Sequence, residues 1–185
     1  MDLYTQECFD NLASTDDTIR MNALQTMLDI TEKPVDWVYA VWDDLLHRLN
    51  HPNSYQRTIA ILVLCNLAKS DTENRLGNSL ELLLAHTKDE KFITSRKCLQ
   101  NIWKVAASSP QNRDKVINHL EKRFMECTSE NHSNLLRQDI LQSIRSLYDQ
   151  EKDEQLLSRA GEWLQAEHDE KYQKQYAAIL TLTNG

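Results

Sequence analysis

The sequence predicts an all-α fold, a right-handed α–α superhelix (a solenoid) of about five helical pairs. Only 3 Gly and 3 Pro occur among 185 residues, which disfavours a turn-rich β fold and favours long helices joined by short loops. Apolar residues recur at steps of three and four, the spacing of amphipathic helices. A basic residue also lies in the first turn of a mostly apolar predicted helix at five places, which are 37 to 41 residues apart. A period of about 40 residues is typical of helical-repeat arrays.

The repeating cation stands in a constant apolar context. The five cations are Arg20, Arg57, Arg96, Arg137 and Lys174. Three positions later stand Ala23, Ala60, Leu99, Ile140 and Ala177, and seven positions later stand Met27, Leu64, Trp103, Ile144 and Thr181. A cation in the first turn opposes the helix macrodipole, so we expect these side chains to bond outside their own helices, as inter-repeat structural contacts. For Arg57, the alternative is a solvated side chain that pairs with nothing.

Each cation follows an amphipathic first helix, and together these pairs predict one domain over residues 1–185. The repeats are expected at residues 2–31, 35–70, 71–108, 110–149 and 152–184. The first helices are expected at Leu3–Leu12, Val35–Leu49, Thr72–His86, Gln111–Glu126 and Asp153–Gln165. Pro34 and Pro110 suit the first turn of a helix, Ser109 suits an N-cap, and "SDTE" at 70–73 fits a capping box.

The second helices resemble those of HEAT repeats, in which a turn Asp precedes an Arg or Lys near the start of the second helix. The residues four positions before the cations are Asp16, Asn53, Phe92, Ser133 and Glu170. Asp, Asn and Ser suit N-caps, whereas Phe92 departs from the pattern, and the proline that often bends the first HEAT helix is absent. This motif is degenerate, so armadillo-like and other α–α arrays are the alternatives. The resemblance implies a ladder of turn acids and helix cations, with the partner of Arg57 in an adjacent repeat.

The helix face opposite the buried one is the candidate partner-binding stripe. At about 100° per residue, positions one, five, eight and twelve after each cation share this concave face. The candidate binding residues on it are Leu62, Lys69, Lys97, Asn101, Lys104, Gln138, Gln142 and Arg145. The cations would supply charge, the amides would bond an extended backbone, and Leu62 would anchor an apolar side chain. Met21 and Leu28 either dock a partner helix with Leu62 or are covered by a neighbouring repeat.

Charge separates the second helices from the rest of the chain. The windows 17–30, 54–69, 91–107, 133–148 and 170–183 hold 11 basic and 4 acidic residues, whereas the remainder holds 10 and 24. A basic face on an acidic body favours an acidic peptide or another polyanion as partner. The alternative is that the five repeating cations alone account for most of the excess.

Signals for catalysis, metals and membranes are weak or absent. No glycine-rich phosphate loop or catalytic-Cys signature occurs, so we expect no catalytic residues and no cofactor. Asp44, His47 and His51 could project from one helix face, but no matching pair exists elsewhere, so no metal site is expected. Cys8, Cys65, Cys98 and Cys127 lack a C-x-x-C spacing and are expected to be buried thiols. Without a signal peptide or apolar span, a cytoplasmic location is predicted.

The sequence therefore predicts a non-catalytic scaffold or adaptor that binds a protein or acidic peptide along its concave second-helix surface, as a monomer or weak homodimer. The alternative is a HEAT-like nucleic-acid-binding protein or a DNA glycosylase-like enzyme. For that enzyme, only Asp139 lies near the stripe as a candidate catalytic acid, and none of the four Trp lies on it. Self-association through an exposed array end at Ile179 and Leu182 is a third possibility.

Overall fold

A computed structural model describes residues 1–181, which form α-helices joined by short turns. The helices are α1 (Leu3–Asn11), α2 (Asp17–Ile30), α3 (Trp42–Leu49), α4 (Ser54–Leu67), α5 (Arg75–Ala85), α6 (Phe92–Asn101), α7 (Trp103–Ala106), α8 (Pro110–Glu126), α9 (Ser133–Glu151), α10 (Glu154–Trp163) and α11 (Glu170–Leu180). No strand occurs among the described residues, and the predicted all-α class is confirmed. Leu182 and the end of the predicted fifth repeat lie outside this range.

Short 3₁₀ turns flank several of these helices. They cover Val38–Ala40, Ala68–Ser70, His86–Lys88, Cys127–Ser129 and Leu164–Ala166. The last three each follow a first helix and each end at an acidic residue, namely Asp89, Glu130 and Glu167. The turn between the two helices of these repeats therefore carries a carboxylate at an equivalent place.

The chain divides into two compact units, of which the first comprises Met1–Cys98. Within it α1 packs on α2 and α3 packs on α4, as the helical pairs predict. The first helices α3 and α5 also contact each other, and so do the second helices α2 and α4. First helices and second helices therefore form two separate layers around an apolar interior.

The second unit begins at Leu99 and has the same arrangement. Here α8 packs on α9 and α10 packs on α11. The second helices α7, α9 and α11 lie side by side, with α9 in contact with both neighbours, and the first helices α8 and α10 also touch. A cluster of Phe124, Trp163 and Tyr176 fills part of the interior, with ring centroids about 6 Å apart.

Most helix starts follow from side-chain caps that the sequence shows. Asp16, Asn53 and Ser109 accept backbone N–H groups as N-caps, and Pro110 occupies the first turn of α8. In the later repeats the cap shifts by one residue, because His132 and Asp169 precede α9 and α11 where Ser133 and Glu170 were expected.

Two helix-start predictions are wrong. Pro34 lies outside any helix, since α3 begins only at Trp42 after the 3₁₀ turn. Residues 70–73 form no capping box, because the Asp71 carboxylate accepts the N–H groups of Arg75 and Leu76. The Ser70 hydroxyl instead accepts the Val35 N–H, so a long-range contact replaces the local one.

The predicted apolar register holds in four repeats. Ala23, Ala60, Leu99 and Ile140 are all buried, as are Met27, Leu64 and Ile144 seven positions after their cations, whereas Trp103 is half-buried. In the fifth repeat Ala177 and Thr181 are exposed, while Tyr176 is fully buried. The register of α11 is therefore displaced by one residue from the prediction.

Candidate functional site

Arg57 is held at the start of α4 by an acid from the following repeat. Its Nε and Nη2 donate to the Asp89 Oδ2 and Oδ1 atoms, both at 2.8 Å. Its Nη1 donates to the backbone carbonyls of His51 and Pro52. The side chain of Arg57 is 9% exposed and that of Asp89 is 3% exposed. This bidentate pair gives Arg57 a partner outside its own helix, where a cation in the first turn needs one.

The acid of this pair is itself fixed by local bonds. The Asp89 carboxylate accepts the Lys91 N–H at 2.9 Å and contacts the His86 Nδ1 at 2.9 Å. Burial acts to raise the pKa of Asp89, but the hydrogen bonds from Arg57, Lys91 and His86 outweigh it and lower the pKa to about 2. Asp89 therefore stays ionised and holds the turn against α4.

Arg137 makes a similar contact in the second unit. Its Nη1 donates to Glu167 Oε2 at 2.9 Å, in the turn of the following repeat, and its Nε donates to the Phe124 carbonyl at 3.0 Å. The Glu130 carboxylate accepts hydrogen bonds from both terminal nitrogens of buried Arg123, at 2.6 and 2.7 Å. This turn acid therefore pairs within its own repeat. The acidic residues of these pairs lie directly after the 3₁₀ turns, whereas the HEAT-like pattern predicts them four residues before the cations.

The three other predicted cations have different surroundings. Arg20 donates to the Ser14 carbonyl and to Asp17 in its own repeat, and its guanidinium lies over the Tyr55 ring, so its contact with the next repeat is a cation–π contact and not an ion pair. Arg96 lies over the Phe92 ring, with Cζ 5.8 Å from the centroid. Lys174 is exposed on α11.

The neutral residue Gln173 occupies the position expected for Lys174. Its Nε2 donates to the Glu167 carbonyl six residues earlier, as the Arg20 and Arg57 guanidinium groups donate to the carbonyls six residues before them. The sequence-based prediction assigned this position to Lys174, the next basic residue, so the predicted register of α11 is displaced by one. The signal in the sequence was the aromatic residue Tyr176 three positions after Gln173, which the structure buries.

The first unit holds three of the proposed binding residues. Leu62 is half-buried, whereas Lys69 and Lys97 are exposed. The Lys69 Nζ donates to the Glu32 carbonyl at 2.6 Å, so this cation also links two repeats. Of the apolar residues near this stripe, Leu28 is half-buried and Met21 is 69% exposed.

The second unit holds the other five, and four of them are polar residues on α6, α7 and α9. Gln142 is exposed, and Asn101, Lys104 and Gln138 are half-buried. The Gln175 amide donates to Gln138 Oε1 at 3.2 Å, which joins α11 to α9 across this face. The Lys104 Nζ donates to Asn101 Oδ1 at 3.0 Å on the α6–α7 segment.

Arg145 differs from the prediction of a cation available to a partner. Its Nε donates to both oxygens of Asp149 at 3.1 Å, and its Nη1 donates to the Thr181 carbonyl at 2.7 Å. Its side chain is only 18% exposed. Arg145 is therefore bonded within the second unit, where its guanidinium caps the end of α11.

The sequence matches the model of one protein family. The model of "non-SMC mitotic condensation complex subunit 1" (Cnd1) matches residues 18–181, which is most of the sequence. The chain belongs to this family. Membership in the Cnd1 family supports the predicted HEAT- or armadillo-like array, and the helical-repeat prediction is confirmed. No curated protein matches the sequence.

Two crystal structures of engineered proteins are similar to this Cnd1-family chain. One crystal structure aligns with a TM-score of 0.61 at 13% identity, over 97% of this chain and 78% of the other. A second aligns with a TM-score of 0.57 at 19% identity, over 97% of this chain and 80% of the other. At these identities, the similarity shows the fold alone.

Other candidate chemistry in this Cnd1-family chain has structural partners. Asp44 accepts from Arg48 Nε, and the His51 Nδ1 accepts the Asn53 N–H. Asp139 is buried and accepts a hydrogen bond from Gln100 at 2.8 Å, which does not suit a catalytic acid facing a ligand.

No cluster of potential metal ligands occurs among the described residues. None of their helices has both the length and the hydropathy to span a bilayer.

Proposed function

We propose that the chain is a non-catalytic helical-repeat subunit of a mitotic condensation complex, and that it binds an extended segment of another protein along its second helices. The family description supports the assignment to such a complex. The layered packing of second helices in each unit supports a surface on which several neighbouring helices contact one partner. No cofactor takes part in this function.

The observation that carries the proposal is the amide stripe of the second unit. Gln138 and Gln175 pair across α9 and α11, and exposed Gln142 lies one turn further along α9. A side-chain amide has both donor and acceptor atoms, so it can bond the N–H and C=O groups of an extended chain. These bonds depend on the partner's backbone and tolerate variation in its side chains.

Cations in each unit favour acidic partners. Lys104 adds positive charge in the second unit, and in the first unit Lys69 is exposed in the 3₁₀ turn after α4 and Lys97 is exposed on α6. Complementary charge raises association rates and selects against like-charged partners. We therefore propose that the bound segment is acidic, and that half-buried Leu62 contributes an apolar contact in the first unit.

The test compares two variants with equal changes in charge. Gln142→Glu/Lys104→Glu alters the stripe, and Gln111→Glu/Lys115→Glu places the same charge change on exposed positions of the first helix α8. Both are used as bait in affinity purification from a native lysate, beside the wild type. We expect other condensation-complex subunits to be recovered with the wild type and the α8 control, and to be lost with the stripe variant.

Each remaining outcome has a defined meaning. Recovery of the same subunits with both variants would remove the amide stripe as the binding surface but retain the subunit role. Recovery of nucleic acid that moderate salt releases would instead favour the nucleic-acid-binding alternative, because phosphate contacts weaken with salt. Sedimentation of the purified chain tests the proposed monomeric or weakly dimeric state.

A further inference from the structure

The second helices α2 and α4 of the first unit leave an apolar groove open between them. Its lining includes Met21, Leu24, Tyr55 and Ile59, and its volume is about 150 Å³. Met21 is 69% exposed and Tyr55 is 65% exposed, whereas buried Ile59 forms part of the floor. Exposed apolar surface beside a recess is characteristic of an interaction site.

A larger polar cleft adjoins this groove. It has a volume of about 540 Å³ and is lined by Asp17, Arg20 and Tyr55, which also line the groove, together with residues of the turns before α2 and α4 and of α3. The Arg20 guanidinium lies over the Tyr55 ring, with Cζ 5.2 Å from the centroid, and donates to the Ser14 carbonyl and to Asp17. The Arg20–Tyr55 pair is therefore a wall shared by the two recesses.

The most exposed formal charges that line the cleft are acidic. The Arg20 and Arg48 guanidinium groups lie over the rings of Tyr55 and Phe9. Their side chains are each 11% exposed, and each has a carboxylate partner. Those partners are far more accessible, since the Asp17 side chain is 82% exposed and the Asp44 side chain is 48% exposed. A carboxylate that accepts one hydrogen bond can still accept others, so both acids can bind a cation from solution.

The wider charge distribution reinforces this local pattern. Residues 1–56 hold ten acidic and three basic side chains, whereas residues 57–185 hold eighteen of each. The whole formal charge of −7 therefore belongs to the segment that builds most of the groove and the cleft. Such a field attracts cationic ligands and repels polyanions, nucleic acid included.

We propose that the α2–α4 groove and the adjoining cleft together bind a basic segment of a partner protein. An apolar side chain of the segment occupies the groove against Met21, Leu24 and Tyr55. A neighbouring Lys or Arg reaches the exposed carboxylates of Asp17 and Asp44. An amphipathic helix places apolar and basic residues one turn apart, which suits recesses that share a wall. This site differs from the amide stripe in position and in the charge it selects, so either can fail without the other.

The first experiment measures binding of two synthetic probes to the full chain by fluorescence anisotropy. One probe is a short amphipathic peptide of leucine and lysine, and the other has glutamate at every lysine position. We expect the lysine peptide to bind saturably and the glutamate peptide to bind at least about tenfold more weakly, a difference that shrinks with added salt. Equal affinity for the two peptides would overturn the proposal.

Matched variants then test the position of the site. Met21→Glu places a charge in the groove and should weaken binding of the lysine peptide by about tenfold, whereas Met125→Glu, at a 39% exposed position on α8, should leave it unchanged. Asp44→Asn should weaken binding several-fold, whereas Asp43→Asn removes the same charge from an exposed neighbour that does not line the cleft. Unchanged binding by Met21→Glu, or equal losses within either pair, would refute the site.

Discussion

Arg57 at the start of α4 makes a bidentate ion pair with Asp89, two 2.8 Å hydrogen bonds between residues 32 positions apart in sequence. Both side chains are almost fully buried, so each charge has lost most of its hydration and is stabilised by the other. The contact ties the start of a second helix to the turn of the next repeat. It also explains why a cation is tolerated in a helix turn whose dipole repels it.

Arg57→Ala is expected to lower the free energy of unfolding by about 3–5 kcal/mol, because it leaves the Asp89 carboxylate buried without a counter-ion. Urea denaturation followed by circular dichroism measures the loss. Lys122→Ala is the matched control, since Lys122 and its partner Glu126 are both exposed and the change should cost about 1 kcal/mol or less. Similar losses in the two variants would mean that burial of the Arg57 pair has no energetic consequence.

A double-mutant cycle isolates the pair itself. Arg57→Ala and Asp89→Ala are expected to be non-additive, with a coupling energy of about 0.5–3 kcal/mol. Additive losses would show that each residue acts through other contacts, such as the bonds of Arg57 to the turn carbonyls before α4.

Acid should weaken the fold through Asp89. Because its pKa is about 2 in the folded chain and about 4 when unfolded, its contribution is complete above pH 4 and is lost as pH falls through about 2. Between about pH 5 and about pH 2, the wild type should lose more free energy of unfolding than Asp89→Asn, which lacks this titrating group. Parallel pH profiles for the two proteins would contradict the assignment.

Trp163→Ala is expected to lower the free energy of unfolding by about 3–5 kcal/mol, because Trp163 is buried against Phe124 in the second unit. The matched control is Trp37→Ala, since Trp37 is half-buried and its removal leaves a smaller cavity. Thermal or urea unfolding gives both values. A loss as large for Trp37 as for Trp163 would refute the packing difference.

Arg145→Ala should loosen the end of α11 more than the rest of the second unit. The change removes the hydrogen bonds from Arg145 to the Ile179 and Thr181 carbonyls. Hydrogen–deuterium exchange should therefore become faster in the last turn of α11, while exchange in α8 stays unchanged. Lys174→Ala, at an exposed position of the same helix, is the control, and equal effects of the two variants would exclude this capping role.

The four cysteines should react only after unfolding. All four are buried and none forms a disulfide, and burial raises the pKa of the Cys98 and Cys127 thiols, so little reactive thiolate is available. A thiol reagent such as 5,5′-dithiobis(2-nitrobenzoate) should label none of them in the native chain and all four in denaturant. Rapid labelling of the native chain would contradict their burial.

Helix pairs and their spacing were predictable because they depend on local sequence. Apolar residues at steps of three and four define the buried face of α4 or α9, and side-chain caps such as Asn53 and Ser109 define where helices begin. One prediction failed where a distant contact replaced a local one, because Ser70 bonds Val35 instead of capping α5. Another failed because a neutral amide, Gln173, makes the local bond that was assigned to the cation Lys174.

The charged residues could be placed on a helix face but not assigned a partner. Arg145 and Lys97 share the same predicted stripe, yet Arg145 bonds the Thr181 carbonyl at the end of α11, whereas Lys97 is exposed. Asp89 carries no sequence signal that distinguishes it from exposed Glu90 beside it. The position of each acid relative to an arginine of another repeat depends on how the helices pack.

The sequence by itself determined the helical-repeat architecture, because periodic burial and capping are set by residues within one or two turns of each other. The tertiary structure alone decided which charges are neutralised and which surfaces stay open. The Arg57–Asp89 pair, the Gln138–Gln175 contact and the groove beside Met21 all join residues more than 30 positions apart. Such contacts depend on the separation and angle of packed helices, and a linear pattern does not specify either.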